Sequence, residues 1–359
     1  MKGWILHSIG DIRFQETEKP VPATGEVCLR VMAAGICGSD IPRIYSTGAH
    51  RMPLIPGHEF SGVVDSIGKD VQKALIGKKV GVFPLIPCGK CFSCKAGHPE
   101  TCRNYDYVGS RRDGAFAEYV TVPAENLIEL PGSVSFEEAA MLEPMAVAVH
   151  AMRIGMERIG KEIGSDPVIL VCGMGTIGQL LTMFLLERGF SSVYVIGNKE
   201  GQKDRAVRLG LPEKHFMDSR KEDVSLVIKE QLGGADLFFE CVGKNESLSY
   251  GIECTKPFSS VVLVGNPYSD MTLSRDTYWK ILRNQVAVSG TWNSTFLGEN
   301  HPDASNDDWH YVMNRLADGS IHPERLITQK YLPEDLEKGF CIMRDKSEDY
   351  CKVMMVANR

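Results

Sequence analysis

From Asp166 to Gly290, short apolar runs alternate with segments of helical spacing. The first run, Pro167 to Cys172 (PVILVC), leads straight into Gly173-Met174-Gly175-Thr176-Ile177-Gly178 and then an apolar helical stretch to Arg188. No other feature restricts the fold as strongly. Strands and helices alternating at this spacing predict a doubly wound parallel sheet with helices on both faces, an α/β architecture. Ser192 to Gly197, Asp236 to Cys241, Ser259 to Gly265 and a weaker Val286 to Gly290 read as further strands, and Gly201 to Leu209 as a helix. Placed between a strand and a helix, G-x-G-x-x-G allows a tight turn and the approach of a pyrophosphate to the helix N-terminus. Gly173, Gly175, Thr176, Ile177 and Gly178 are therefore candidate dinucleotide contacts.

The residues before this region read differently. Up to about residue 85 the pattern is all-β, as in Glu26 to Ala33 and Phe60 to Ile67, and Phe116 to Val122 returns to strand. Helical spacing starts at Ser135, where Ser135 and Glu138 fit a capping box. After Trp292 the chain is mixed and polar, with Tyr350 to Val356 as a possible strand, and too short to fold alone. The 359 residues exceed what one core organises, so two or three domains are expected. A net charge of −6 argues against nonspecific nucleic-acid binding. There is no apolar run long enough for a membrane span, and the start lacks a signal-peptide layout. Eleven cysteines, four of them clustered, favour metal binding in a reducing cytoplasm over a disulfide framework.

Two groups of residues carry metal chemistry. Cys37 is a thiol, and His58 and Glu59 are an imidazole and a carboxylate side by side, within a glycine-rich stretch from Gly35 to Gly62. These are the side-chain types that bind zinc, and a catalytic zinc keeps one position open. Cys88, Cys91, Cys94 and Cys102 form C-x2-C-x2-C-x7-C in a lobe at about residues 87–103. Four thiolates can close a tetrahedral site, although spacing alone also admits an iron–sulfur cluster or two disulfides.

Gly57-His58-Glu59, Gly62 and Gly68 together resemble the zinc signature of the medium-chain alcohol and polyol dehydrogenases. The likeness extends over nearly the whole chain and sharpens toward the galactitol-1-phosphate 5-dehydrogenase branch. It is carried by Cys37-Gly38-Ser39-Asp40, Pro42-Arg43-Ile44, Gly48-Ala49-His50, Gly109 to Gly114, Phe116 to Tyr119, Lys280 to Arg283 and Gly290 to Trp292. The resemblance implies a GroES-like β-rich catalytic domain (1–148), a Rossmann cofactor domain (149–292) and a C-terminal return to the first domain (293–359). It also implies two zinc ions per chain, a homodimer or homotetramer, and a small-molecule partner.

By the same resemblance the four-cysteine zinc is structural, and Glu143, in Leu142-Glu143-Pro144, is the third catalytic ligand. Glu59 is then a fourth ligand or a neighbour that exchanges with the zinc water. Ser39 begins a proton relay; a histidine often stands three residues further on, but here that position is Pro42. The implied reaction oxidises a secondary hydroxyl of a polyol or polyol phosphate to a ketose, with zinc as Lewis acid and hydride passing to the nicotinamide. Arg43, Arg111 and Arg112 are candidate phosphate contacts. Alternatives are another secondary alcohol, of sorbitol, ribitol-phosphate or threonine type, or a family member that binds dinucleotide without catalysis. The second strand of the cofactor domain ends at Gly197-Asn198-Lys199, where an acidic residue would hold the ribose of NAD. NADP is therefore favoured, with Arg205 a further basic residue nearby. NAD held by Glu200 is the alternative.

Overall fold

In the computed structural model, which describes residues 1–158, 166–299 and 301–357, every residue of the strand Ile169–Cys172 is buried. A strand covered on both faces needs such an unbroken apolar run. Six parallel strands lie in the order Phe216–Asp218, Val193–Gly197, Ile169–Cys172, Ala235–Glu240, Thr255–Leu263 and Ala287–Gly290. The winding direction reverses at Ile169–Cys172, where folds of this order form their ligand crevice. Leu170, Phe238, Val261, Ile228 and Ile252 build a core within this unit, Val147–Asn293. Phe216–Asp218 escaped the sequence reading because three residues carry no measurable alternation.

The other unit is Met1–Ala146 with Ser294–Arg359. Its seven-stranded sheet runs Ile327–Tyr331, Lys352–Val356, Glu26–Ile36, Glu59–Ile67, Lys79–Val82 and Leu127–Glu129, with Tyr119–Pro123 also paired to Glu26–Ile36. Val27, Leu29, Phe60, Phe116 and Phe340 fill the core, and the Trp4 ring meets Phe340 edge-on at 5.7 Å. The residues after Ser294 hold to this unit through Trp309. Its ring is buried against Phe83 at 5.4 Å, and its Nε1 donates to Ser294 Oγ at 3.0 Å. The helices Asp308–Asp318 and Leu336–Asp345 in this stretch were passed over in the sequence reading, although their buried residues recur at helical spacing.

One element differs from its sequence reading in a way that shapes the site. The helical stretch from Ser135 is two helices, Phe136–Ala140 and Leu142–Arg158. The capping box opens the first: Ser135 Oγ accepts from Glu138 N at 3.2 Å, and Ser135 N donates to Glu138 Oε2 at 2.9 Å. Pro144 has no N–H and fits only a first helical turn, so a new helix starts just before it. Glu143 thereby falls in that first turn.

Candidate active site

Gly35 pairs with Glu59 across the antiparallel strands Glu26–Ile36 and Glu59–Ile67. Cys37 leaves one strand where His58 and Glu59 enter the other. One ligand atom each of Cys37, His58 and Glu59 lies within 4.8 Å of the other two. Asp40, fully buried, organises them. Its Oδ2 accepts the Cys37 N–H at 3.0 Å, its Oδ1 accepts Arg43 Nη1 at 2.5 Å, and Oδ1 also stands 3.5 Å from His58 Nδ1. Burial opposes ionisation of Asp40, but His58 and Arg43 outweigh it and hold the carboxyl below its usual range. Nδ1 makes no hydrogen bond at that distance, but a carboxylate on its side favours a proton there and leaves the other ring nitrogen for a metal. Ser39 Oγ donates to Cys37 Sγ at 3.3 Å, so the hydroxyl stands at the thiol.

Glu143 lies beside this trio rather than within it. The Tyr107 hydroxyl donates to Glu143 Oε1 at 3.1 Å, and the Tyr107 ring meets His58 at 5.7 Å. Burial pushes the Glu143 carboxyl up to about 7; Glu59 adds to this, while His58 and Lys352 oppose it. Lys352 is buried, and its ammonium pairs with Glu59 Oε2 and donates to the Ile36 carbonyl at 3.3 Å. A partly buried thiol gathered with a buried imidazole and a buried carboxylate, with a second acid beside them, is a donor set that fits zinc. Sequence reasoning missed Tyr107 and Lys352. Neither carries a local signal, because each reaches the site from a distant part of the chain.

Cys88, Cys91, Cys94 and Cys102 likewise bring their sulfurs within 4.8 Å of one another. Cys91 Sγ stands 3.5 Å from Cys94 Sγ and 3.8 Å from Cys102 Sγ. The Cys94 N–H pulls the Cys91 thiol down to about 6. None of the eleven cysteines is in a disulfide. Four thiols with no other donor make a closed set, which suits structural zinc.

In the parallel-sheet unit, Gly173 takes a φ of +98° and donates its N–H to the Ile196 carbonyl at 3.0 Å. A side chain at Gly178 would fall on the Gly173 carbonyl, so the turn and the helix Thr176–Glu187 close only around glycine. Gly175 precedes that helix and offers no side-chain cap, which leaves first-turn amides for an anion.

Two family models match the chain: the alcohol dehydrogenase GroES-like domain over residues 23–132 and zinc-binding dehydrogenase over residues 176–317. The galactitol 1-phosphate 5-dehydrogenase of Escherichia coli K12 is 32% identical over 334 residues, 92% of each chain. The chain belongs to the zinc-dependent medium-chain dehydrogenases. The solved galactitol-1-phosphate dehydrogenase from E. coli superposes with a TM-score of 0.87 at 29% identity, covering 99% of this chain and 100% of that one. A zinc-binding dehydrogenase from Sinorhizobium meliloti 1021 bound to NADP gives 0.87 at 25% identity, covering 99% and 98%. An alcohol dehydrogenase from E. coli CFT073 complexed with NADH also gives 0.87 at 25%, covering 99% of each. The dehydrogenase is thus an NAD(P)-linked oxidoreductase with a GroES-like domain and a Rossmann sheet. No described helix is long and apolar enough to cross a membrane.

The three candidate arginines of the dehydrogenase are not equivalent. Arg43 is bound to Asp40, and Arg112 to Glu26 at 2.6 Å. Arg111 has no carboxylate partner among the described residues; its guanidinium lies 4.4 Å from the Tyr105 ring centre, and its buried Nε has no hydrogen-bond partner. The cofactor-selecting residues also differ from their sequence reading. Gly197 does not leave open room: the Phe216 ring and the Gln202 side chain occupy the space beside it. Gln202 Oε1 also accepts the Asn198 N–H at 2.9 Å. Asn198, Lys199 and Glu200 are exposed, and Arg205 turns inward and is buried. The neighbouring strand ends at Asp218, opposite Gly197, and brings a basic residue the sequence reading did not weigh: Arg220, paired with Asp218 at 2.7 Å.

Proposed function

We propose that this dehydrogenase oxidises a secondary hydroxyl of a phosphorylated polyol to a ketose, with NADP as the hydride acceptor. Arg111 carries the reading. It sits in the turn Gly109 to Gly114, its N–H bonds the Tyr107 carbonyl at 2.9 Å, and Tyr107 touches Glu143. A guanidinium without a carboxylate partner, in the turn that follows Tyr107, suits a phosphate held while the carbinol faces the metal. The relative that solved galactitol-1-phosphate dehydrogenase represents supports the same substrate class.

In this reading Cys37 and His58 would hold a catalytic zinc, with Glu59, whose oxygen lies with their donor atoms, and Glu143 beside them as the carboxylates available to it. When bound, zinc supplies Lewis acidity to a substrate hydroxyl, and NADP takes up the hydride. Asp40 fixes the His58 ring and the Cys37 backbone. Ser39, at the thiol, accepts the proton released from the hydroxyl; Pro42 passes nothing on, so the proton leaves through water. Cys88, Cys91, Cys94 and Cys102 hold a second zinc that closes their lobe. In the cofactor unit, Gly197 supplies no carboxylate to repel a 2′-phosphate and the exposed Lys199 supplies positive charge, while the charge of Arg220 is met by Asp218.

Steady-state kinetics test this reading with galactitol, galactitol 1-phosphate, NAD and NADP. The phosphorylated substrate should have kcat/KM at least about tenfold higher, and Arg111→Met should erase most of that preference. Equal kcat/KM for the two polyols removes the phosphate site. A higher kcat/KM with NAD than with NADP removes the cofactor assignment and hands the ribose to Glu200.

A further inference from the structure

A buried carboxylate stands where the parallel sheet of the cofactor unit changes direction. Glu240 ends Ala235–Glu240, opposite Cys172 at the end of Ile169–Cys172. These are the two central strands, and a doubly wound sheet places its ligand crevice outside their C-terminal ends. Glu240 is 2% exposed. Its Oε1 accepts Val242 N at 2.8 Å, Gly243 N at 2.9 Å and Ser247 Oγ at 2.6 Å, and its Oε2 accepts Gly243 N at 3.1 Å. No lysine, arginine or histidine among the described residues pairs with it.

The side chain thus closes the turn that follows its own strand, residues 241–244. That turn is wedged in place. A Cβ on Gly173 would fall on Val242 Cγ2, and one on Gly243 would fall on the Asn266 carbonyl. Neutral donors satisfy the Glu240 oxygens, and none of them cancels the charge. Its field reaches both strand ends: burial first, and then Glu240, pushes the Cys172 thiol up to about 12 and the Cys241 thiol well above its ordinary value.

A nicotinamide dinucleotide presents two different ends to such a crevice. The glycine turn and the end of Val193–Gly197 serve the pyrophosphate and the adenosine ribose, which leaves the nicotinamide end to the half of the sheet that Ala235–Glu240 begins. The oxidised nicotinamide ring carries a positive charge, and the reduced ring is neutral. A fixed anion in a buried setting of low dielectric distinguishes the two forms without touching either.

We propose that Glu240 is the fixed counter-charge of the oxidised nicotinamide, held at the crevice by the turn it closes, and that it biases the dehydrogenase toward the oxidised dinucleotide. The bias is the same whichever 2′ group the adenosine end selects.

Calorimetric titration of the full chain tests it, with NADP against NADPH and NAD against NADH, in the absence of substrate. Glu240→Gln keeps an oxygen for the bonds made by Oε1 and removes the charge. It should weaken binding of the oxidised form about tenfold more than that of the reduced form. Glu240→Asp, which keeps the charge and shortens its reach to the turn, should weaken both forms alike and hold the ratio of their Kd values within about twofold. Ser247→Ala removes one neutral donor, keeps the charge and should also hold that ratio. An equal loss of both forms in Glu240→Gln overturns the inference and leaves Glu240 an anchor for the turn. So does a Glu240→Gln protein that does not fold, since the charge then serves the turn rather than the cofactor. A ratio that moves as far in Ser247→Ala as in Glu240→Gln overturns it as well. Wild-type protein that binds none of the four dinucleotides removes the crevice itself, a different result from these.

Discussion

A phenol is an uncharged donor, and at Glu143 that distinction matters. The Tyr107 hydroxyl, 3.1 Å from Glu143 Oε1, occupies one carboxylate oxygen and, in the site proposed above, leaves the other for the metal. Burial raises the Tyr107 pKa well above its ordinary value, so the group stays a donor. Tyr107→Phe removes the hydroxyl and keeps the ring against His58. We expect kcat/KM to fall by about tenfold with the metal less tightly held, the usual scale for a group that orients a ligand. An unchanged kcat/KM and metal content would show that Glu143 needs no such support. The arginines teach the complementary lesson. Arg43, Arg111 and Arg112 are alike as sequence, but Asp40 and Glu26 already hold two of them. Which cation remains available depends on partners that charge counting cannot see.

Among the elements, the helix Asp308–Asp318 shows how one cap couples stability to pH. Asp307 caps it, accepting His310 N at 2.8 Å on Oδ1, and the same oxygen lies 2.9 Å from His310 Nδ1. Glu299 stands 3.6 Å from the other ring nitrogen. The Asp307 hydrogen bond, then the nearby Glu299 carboxylate, raises the His310 pKa from 6.5 to about 9. The folded-state value is the higher one, so the gain is complete below about 6.5 and is lost as pH rises through about 9. His310→Gln should therefore cost on the order of 2 kcal/mol near pH 6 and close to nothing near pH 10. Thermal unfolding of both proteins across that range checks it; a difference that grows with pH would reverse the assignment. The helix was legible in principle: its apolar residues, Trp309, Val312, Met313 and Leu316, recur at i, i+3, i+4 and i+7, but reading the stretch by its polar composition passed over that spacing. Its cap signal, Asp307, is one of several acids there.

For the whole molecule, two donor sets of different design predict two metals with different consequences. Metal analysis should find two zinc ions per chain in wild type, one for each gathered set. Cys37→Ala should lose turnover and retain its Tm. Cys91→Ala should lower Tm by about 5 °C or more, because the four-cysteine lobe has little apolar core to stand on. Near wild-type turnover in Cys37→Ala, or an unchanged Tm with two zinc ions in Cys91→Ala, would refute the division. Both sets were legible in the chain because their members are close in sequence or carry a recognisable spacing. The glycine turn was legible for the same reason: its chemistry is local to one strand, one turn and one helix. Lys352 and Tyr107 were not, since Lys352 reaches Glu59 over 293 positions and Tyr107 reaches Glu143 over 36. The space beside Gly197 was likewise invisible, being filled by Phe216 from the next strand and Gln202 from the following helix. Sequence by itself determined the kinds of donor and the local turns that present them. Tertiary structure decided which charges meet, because strand register and packing bring together side chains that no spacing along the chain relates.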